Sequence, residues 1–207
     1  MASAAATALT GGVTPPAGTR EQILSTAREL FVSQGFAATT TRELAERLGF
    51  TKAALYYHFR TKDDLLKALA APFVDQMRAL VTGTPLSASP AARRALLAAY
   101  IDIATADLDL IRVLTQDPSV NHRPATAEHT DLSRRLLQLL SGQDEPDTTA
   151  RARARAALGA IWAGLVHAAP DDDPTAVRAA TLAAACGALG VPAPSTRPSL
   201  VNRAAAR

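Results

Sequence analysis

Apolar residues recur three and four positions apart along most of the chain, and capping residues bracket each run. Ile23, Leu24, Ala27, Leu30 and Phe31 form the first stripe. Thr19-x-x-Gln22 spells a capping box before it, and Gly35 stands where a left-handed residue closes a helix. Thr40-x-x-Glu43 opens a shorter helix carrying Leu44, Ala45 and Leu48, which Gly49 stops. Thr51 opens a third that has room for only about two turns. Thr61-x-x-Asp64 opens a fourth, from Lys62 to about Val81, with Leu65, Leu66, Leu69 and Phe73 on one face.

Past Gly83-Thr84-Pro85, Ser89 suits an N-cap and Pro90 a first helical position. Leu97, Tyr100, Ile101, Ala104, Leu108 and Ile111 then keep helical spacing, with a kink expected near the Asp107–Asp109 pair, until Asp117-Pro118 ends the unit. Leu132, Leu136, Leu139 and Leu140 mark a further helix. Leu158, Ile161, Trp162, Leu165, Val166 and Ala169 make the cleanest stripe, and Asp171-Asp172-Asp173-Pro174 caps a last helix to about Leu189. Strand-type alternation is missing, and alanine, the best helix former, makes up about a fifth of the 207 residues. The fold class is all-α. It comprises a small head at 19–68 and a larger body at 69–190, between tails at 1–18 and 191–207 too small and uncharged, or too broken by proline, to order themselves.

Leu48-Gly49-Phe50-Thr51 joins two helices by a tight turn, the spelling of a helix-turn-helix over about 40–59 whose second helix enters a major groove. Along Thr51 to Phe59, Leu55 and Phe59 share the core stripe. Ala53 and Tyr57 point away from it, and Tyr56 and His58 lie on its flanks. Hydroxyl-bearing rings on that surface suit phosphates and thymine methyls. Thr41 and Arg42 open the second helix, where free amides and the dipole favour an anion. Lys62 does the same for the fourth, and Lys52 opens the reading helix itself. The competing reading makes both tyrosines packing residues and both lysines merely solvated. Eight basic against six acidic residues from Arg20 to Ala68 give no broad positive footprint to decide it.

The stretch from Thr19 to about Leu69, including TTRELAERLGFTKAALYYHFRTKDDLL, resembles the DNA-binding domain of the TetR (tetracycline repressor-type) family of bacterial transcriptional regulators. The resemblance implies base or phosphate contacts from Thr41, Arg42, Thr51, Lys52, Ala53, Tyr56, Tyr57, His58 and Lys62. It also implies an N-terminal helix-turn-helix domain followed by a helical domain that binds a small effector and pairs two subunits. Double-stranded operator DNA, an effector of unknown identity and a second copy of the chain are the implied partners.

For the body, the residues themselves speak best to pairing. Ala180, Ala184, Gly187 and Ala188 form a stripe of small residues that permits close helix approach, so residues 146–190 are the expected homodimer surface. Only Tyr100 and Trp162 supply rings beyond Phe73, which favours a modest aliphatic or acyl ligand over an aromatic cage. Trp162, Tyr100, Arg112 and His129 are the candidate ligand-binding residues, with His122 and His167 as further polar lining.

Other chemistries lack their residues. Cys186 alone excludes an intrachain disulfide or a cysteine zinc site, and His122 and His129 have no third ligand at metal spacing. No glycine-rich phosphate loop or activated nucleophile is present, so neither enzyme nor cofactor is expected. No apolar run spans a bilayer, and the first charged side chain, Arg20, follows no secretory pattern, so the expected location is the cytoplasm, on the nucleoid. Two rival classes remain, a ligand-independent DNA binder and a helical small-molecule binder without DNA affinity.

Overall fold

In a computed structural model, which describes residues 18–86, 89–120, 123, 127–169 and 171–193, the chain folds into helices α1 (Thr19–Gln34), α2 (Thr41–Leu48), α3 (Lys52–His58), α4 (Lys62–Thr82), α5 (Pro90–Ala106), α6 (Leu108–Gln116), α7 (Ala127–Ser141), α8 (Thr148–Val166) and α9 (Pro174–Leu189). No strand occurs among the described residues. The expected tails lie outside them except for Gly18 and residues 191–193, as does His122.

Local chemistry explains most helix starts. The side chains of Thr40, Thr51, Thr61, Ser89, Asp147 and Asp173 each accept a hydrogen bond from a first-turn amide. Thr61 and Asp64 complete a reciprocal box, Thr61 N donating to Asp64 Oδ2 at 2.9 Å. Three expectations need correction. Thr19 does not cap α1: it is the first helical residue and is buried, while Gly18 takes the cap position without a side-chain bond. Glu43 does not reach back to Thr40, because its carboxylate accepts from Gln34 Nε2 at 2.9 Å instead. The expected kink near Asp107 is a full break. Asp107 adopts φ −148°, ψ 60°, then caps α6 through the Leu110 amide at 3.4 Å.

One continuous apolar core joins head and body, running from Ile23, Phe31 and Phe36 through Leu65, Leu66 and Met77 to Ile101, Leu139 and Ile161. Helix α4 carries it between the two, with Leu65, Leu66, Ala70, Phe73, Met77 and Val81 buried, and it continues through Pro72. The stripe on α8 differs from the expected one. Ala154, Ala157, Ile161 and Leu165 are buried, Trp162 is half-buried, and Ala169 lies beyond the helix end at Val166. Alanine at these positions lets α8 lie close against α9. The closest approach is at Gly164, where an added Cβ would stand 2.2 Å from Thr181 Oγ1.

Candidate nucleic-acid interface

The turn between α2 and α3 is built by Gly49. At φ 67°, ψ 23° it occupies the left-handed region that a side chain disfavours, and its amide donates to Glu46 O while Phe50 N donates to Ala45 O at 2.9 Å. That closure ends α2 and aims the chain into Thr51, whose hydroxyl accepts from Ala54 N at 3.1 Å to start α3. Leu55 and Phe59, 0% and 4% exposed, pin α3 to the core. Ala53, Tyr56 and Tyr57 are left outward, with Tyr57 76% exposed. A large amphipathic ring so displayed gains nothing from the fold beneath it.

The remaining candidates fall into two groups. Lys52 Nζ stands 5.6 Å over the Tyr56 ring, and Tyr56 Oη lies 3.5 Å from Thr41 Oγ1, so Thr41, Lys52 and Tyr56 form one surface across α2 and α3. Arg42 is exposed on α2 and pairs with Glu46 at 2.7 Å, an i,i+4 bridge that solvent keeps weak and that an incoming phosphate can replace. His58 is half-buried, its ring edge-on to Tyr57 at 5.2 Å, and its Nε2 is buried without a partner.

Lys62 belongs to the second group and corrects the expectation of a free phosphate clamp. Its ammonium donates to Phe36 O at 2.6 Å, Thr39 O at 2.8 Å and Ala37 O at 3.3 Å, and sits 4.3 Å over the Phe36 ring. All three N–H groups are engaged in holding the α1–α2 loop. Burial, with Arg123 close by, lowers its pKa below the usual lysine value.

The same loop is gripped from the body, which the sequence reading did not find. Phe36 N donates to Asp117 Oδ2 at 3.1 Å, Arg123 pairs with Asp63 at 2.6 Å, and the Arg123 guanidinium also lies 4.7 Å over the Phe36 ring. Arg28 of α1 pairs with Asp107 between α5 and α6. Burial pushes the Asp117 carboxyl up, yet bonds from the Ser119 hydroxyl and amide and from the Phe36 amide outweigh it and hold the group below the ordinary aspartate value. Asp117-Pro118 signals only a helix end in the sequence. Its partner lies 81 residues away, beyond any local pattern.

The four ligand candidates do not converge on one site. Tyr100, 5% exposed, has the Trp162 indole beside its hydroxyl, and burial pushes that hydroxyl up to about 12. Arg112 instead donates to Val166 O at 3.0 Å and bridges to Asp109 at 3.3 Å, tying α6 to the end of α8. His129 packs against Phe73 with ring centroids 5.6 Å apart. A cavity of about 600 Å³ opens elsewhere, between the α5–α6 break and the α8–α9 turn, lined by Leu108, Leu165, Ala168 and Val177 and edged by the Asp102–Arg178 pair. None of the four lines it. No group of three metal-ligating side chains occurs among the described residues, and no helix there is long and apolar enough to cross a membrane.

A capped, glycine-turned helix pair with an outward aromatic and basic face, carried on a helical body, defines a helix-turn-helix DNA-binding regulator. Residues 23–69 match the family of bacterial regulatory proteins described as the tetR family. The HTH-type transcriptional repressor Rv1474c of Mycobacterium tuberculosis is 32% identical over 137 residues, 62% of this chain and 72% of that one. The chain belongs to the TetR family of transcriptional regulators. The class C tetracycline repressor of Escherichia coli is 53% identical over 51 residues, covering 25% of this chain and 23% of its own length. A tetR-family regulatory protein from Rhodococcus RHA1 has the same fold, with a TM-score of 0.65 and 21% identity over 84% of this chain and 97% of its own.

Proposed function

We propose that the protein is a cytoplasmic, nucleoid-associated repressor that sits as a homodimer on a pseudo-palindromic operator and leaves it when a small apolar effector binds. The observation that carries the reading is the face of α3, where Tyr57 is exposed while Leu55 and Phe59 anchor the helix behind it. Thr41, Arg42, Thr51, Lys52, Ala53, Tyr56, Tyr57 and His58 form the contact surface. Tyr56, Tyr57 and Ala53 face thymine methyls and phosphates, and Lys52 and Arg42 supply charge. A gel-shift series on DNA upstream of its own gene tests it. Tyr57→Ala with Lys52→Ala should weaken binding by about 1–3 kcal/mol. Unchanged affinity in the double variant removes α3 as the reader.

The dimer reading is supported by the open face of α8 and α9. Ala180, Ala184 and Gly187 are exposed there, beside a groove of about 530 Å³ lined also by Ala160, Ala163 and His167. Ala184→Glu should give monomers with folded heads in sedimentation. The effector reading rests on the cavity of about 600 Å³, a size typical of small-ligand sites. Occupancy there would shift α4 and the Asp117 grip together and so alter the spacing of the two heads. Trp162, less than one turn from the cavity-lining Leu165 on the same helix, reports it by fluorescence, and Leu165→Trp should abolish release by filling the cavity.

A further inference from the structure

Where the first turn of α5, the last turns of α7 and α9 and the first turn of α8 meet, a second cavity of about 220 Å³ is lined by Arg93, Ser141, Gln143, Asp147, Thr149 and Arg153. It is several times the roughly 30 Å³ that one water occupies. We propose that this cavity binds a small oxyanion of the phosphate type, held between the guanidinium groups of Arg93 and Arg153.

Among the other arginines of the body, Arg78, Arg112, Arg134, Arg135 and Arg178 each meet a carboxylate. Arg94, Arg151 and Arg155 form no ion pair among the described residues but line none of the cavities above. Arg93 and Arg153 form no ion pair among the described residues, although both face the same polar recess. Arg93 Nη1 reaches only Leu140 O, at a long 3.5 Å, and its Nε is buried with no partner at all. A guanidinium so placed lacks the side-on acceptor that Nε and one Nη together are shaped to receive. Leaving such a donor buried and unmade is costly, and a turn of the Arg93 side chain onto an oxyanion in the recess would remove that cost.

The walls fit the same occupant. Gly142 and Gly190, both at positive φ, border the arginine heads; their Cβ positions lie 3.7 Å from Arg93 Nη1 and 3.8 Å from Arg153 Nη1 respectively. Asp147 is the one acid lining the recess, and its Oδ1 is committed to Ala150 N at 2.9 Å, the bond that holds its carboxyl below the usual range. Two positive charges therefore face one negative charge already engaged by a helix amide. The competing role for Arg93 is to cap the carbonyl end of α7 through Leu140. That role leaves Nε and the whole of Arg153 unexplained.

The test is calorimetric titration of the full-length protein with inorganic phosphate at constant ionic strength, in parallel with Arg93→Gln, Arg153→Gln and Lys52→Ala. Saturable binding of one phosphate per chain is expected, at least tenfold weaker in each arginine variant and unchanged in Lys52→Ala. Because Arg153 is exposed, its variant keeps the test open even where Arg93→Gln fails to fold. A glycerol phosphate arm separates sources: tighter binding than inorganic phosphate marks a phosphoryl group on a larger ligand, weaker binding the free ion. No saturable binding, binding undiminished in Arg153→Gln, or binding lost in Lys52→Ala would overturn the assignment.

Discussion

Tyr57 stands 76% exposed on α3, whereas Tyr100 is 5% exposed on α5 with its hydroxyl beside the Trp162 indole. The same side chain is turned outward in the head and inward in the body. In the head, three rings are packed against a cation as well as against carbon. Phe36 lies against Lys62 and Arg123, Phe59 lies under Arg20 at 5.1 Å, and Tyr56 lies under Lys52. The body has few rings and fills its core with alanine and leucine, which lets α8 and α9 approach until only Gly164 fits. The head is thus a rigid mount for a few projecting groups, and the body is a close-packed bundle with two polar or apolar recesses at its helix ends.

The largest effect that separates the two regions should come at their junction. Phe36 is fully buried, 5.0 Å from Phe31, and takes contacts from both head and body. Phe36→Ala should cost about 3–5 kcal/mol in urea unfolding, while Tyr57→Ala should stay within about 0.5 kcal/mol. Equal losses would mean that the α3 face is part of the core. Next in size, Lys62→Met should remove about 1.5–3 kcal/mol of stability through its charged hydrogen bonds to three carbonyls. It should leave the salt dependence of DNA binding unchanged. A slope lower by about one would restore Lys62 as a phosphate contact.

This junction also marks how far the sequence was legible. Helix boundaries followed from Thr40, Thr51, Thr61, Ser89 and Asp173 because a cap and its amide partner lie within three residues of each other. The outward set on α3 followed from helical period alone. The bonds of Lys62 were not legible because a lysine at a helix start looks the same whether its ammonium meets solvent or the carbonyls of a loop some 25 residues earlier. Asp117 and Arg123 carried no local signal of their pairing with the head. Their partners are set by how α4 and α6 cross α1, which periodicity does not encode. The small-residue stripe on α9, expected as a pairing face, is exposed at Ala180 and Ala184. Half of the expected α8 stripe was displaced because alanine, silent in a search for large apolar residues, carries the buried side.

On the body side, Tyr100→Phe sharpens the contrast by removing only an oxygen. The Trp162 indole then loses the polar atom beside it, so stability should fall by about 1 kcal/mol. Emission from Trp162, the one tryptophan in the chain, should shift. Tyr57→Phe on α3 should change neither quantity.

The smallest effect concerns acid. His129 is half-buried on α7 against Phe73, with Ser133 Oγ 3.5 Å from its Nε2, and burial lowers its pKa from the ordinary 6.5. The unfolded chain therefore takes up a proton at His129 before the folded protein does. The neutral imidazole's contribution is complete above pH 6.5 and is lost as pH falls through the lower, folded value. Asp117, also lowered, loses its contribution only further into acid, below its ordinary 3.8, so the two windows are separate. His129→Phe keeps a ring against Phe73 and has no proton to take up. Thermal unfolding of the two proteins between pH 6.5 and 3.8 should show the variant's midpoint falling less steeply, with parallel curves above pH 6.5. The head gives the control: Tyr57→Phe should track the parent across the whole range. Parallel curves for His129→Phe throughout would mean that the imidazole is already solvated and that the α4–α7 seam is open to water.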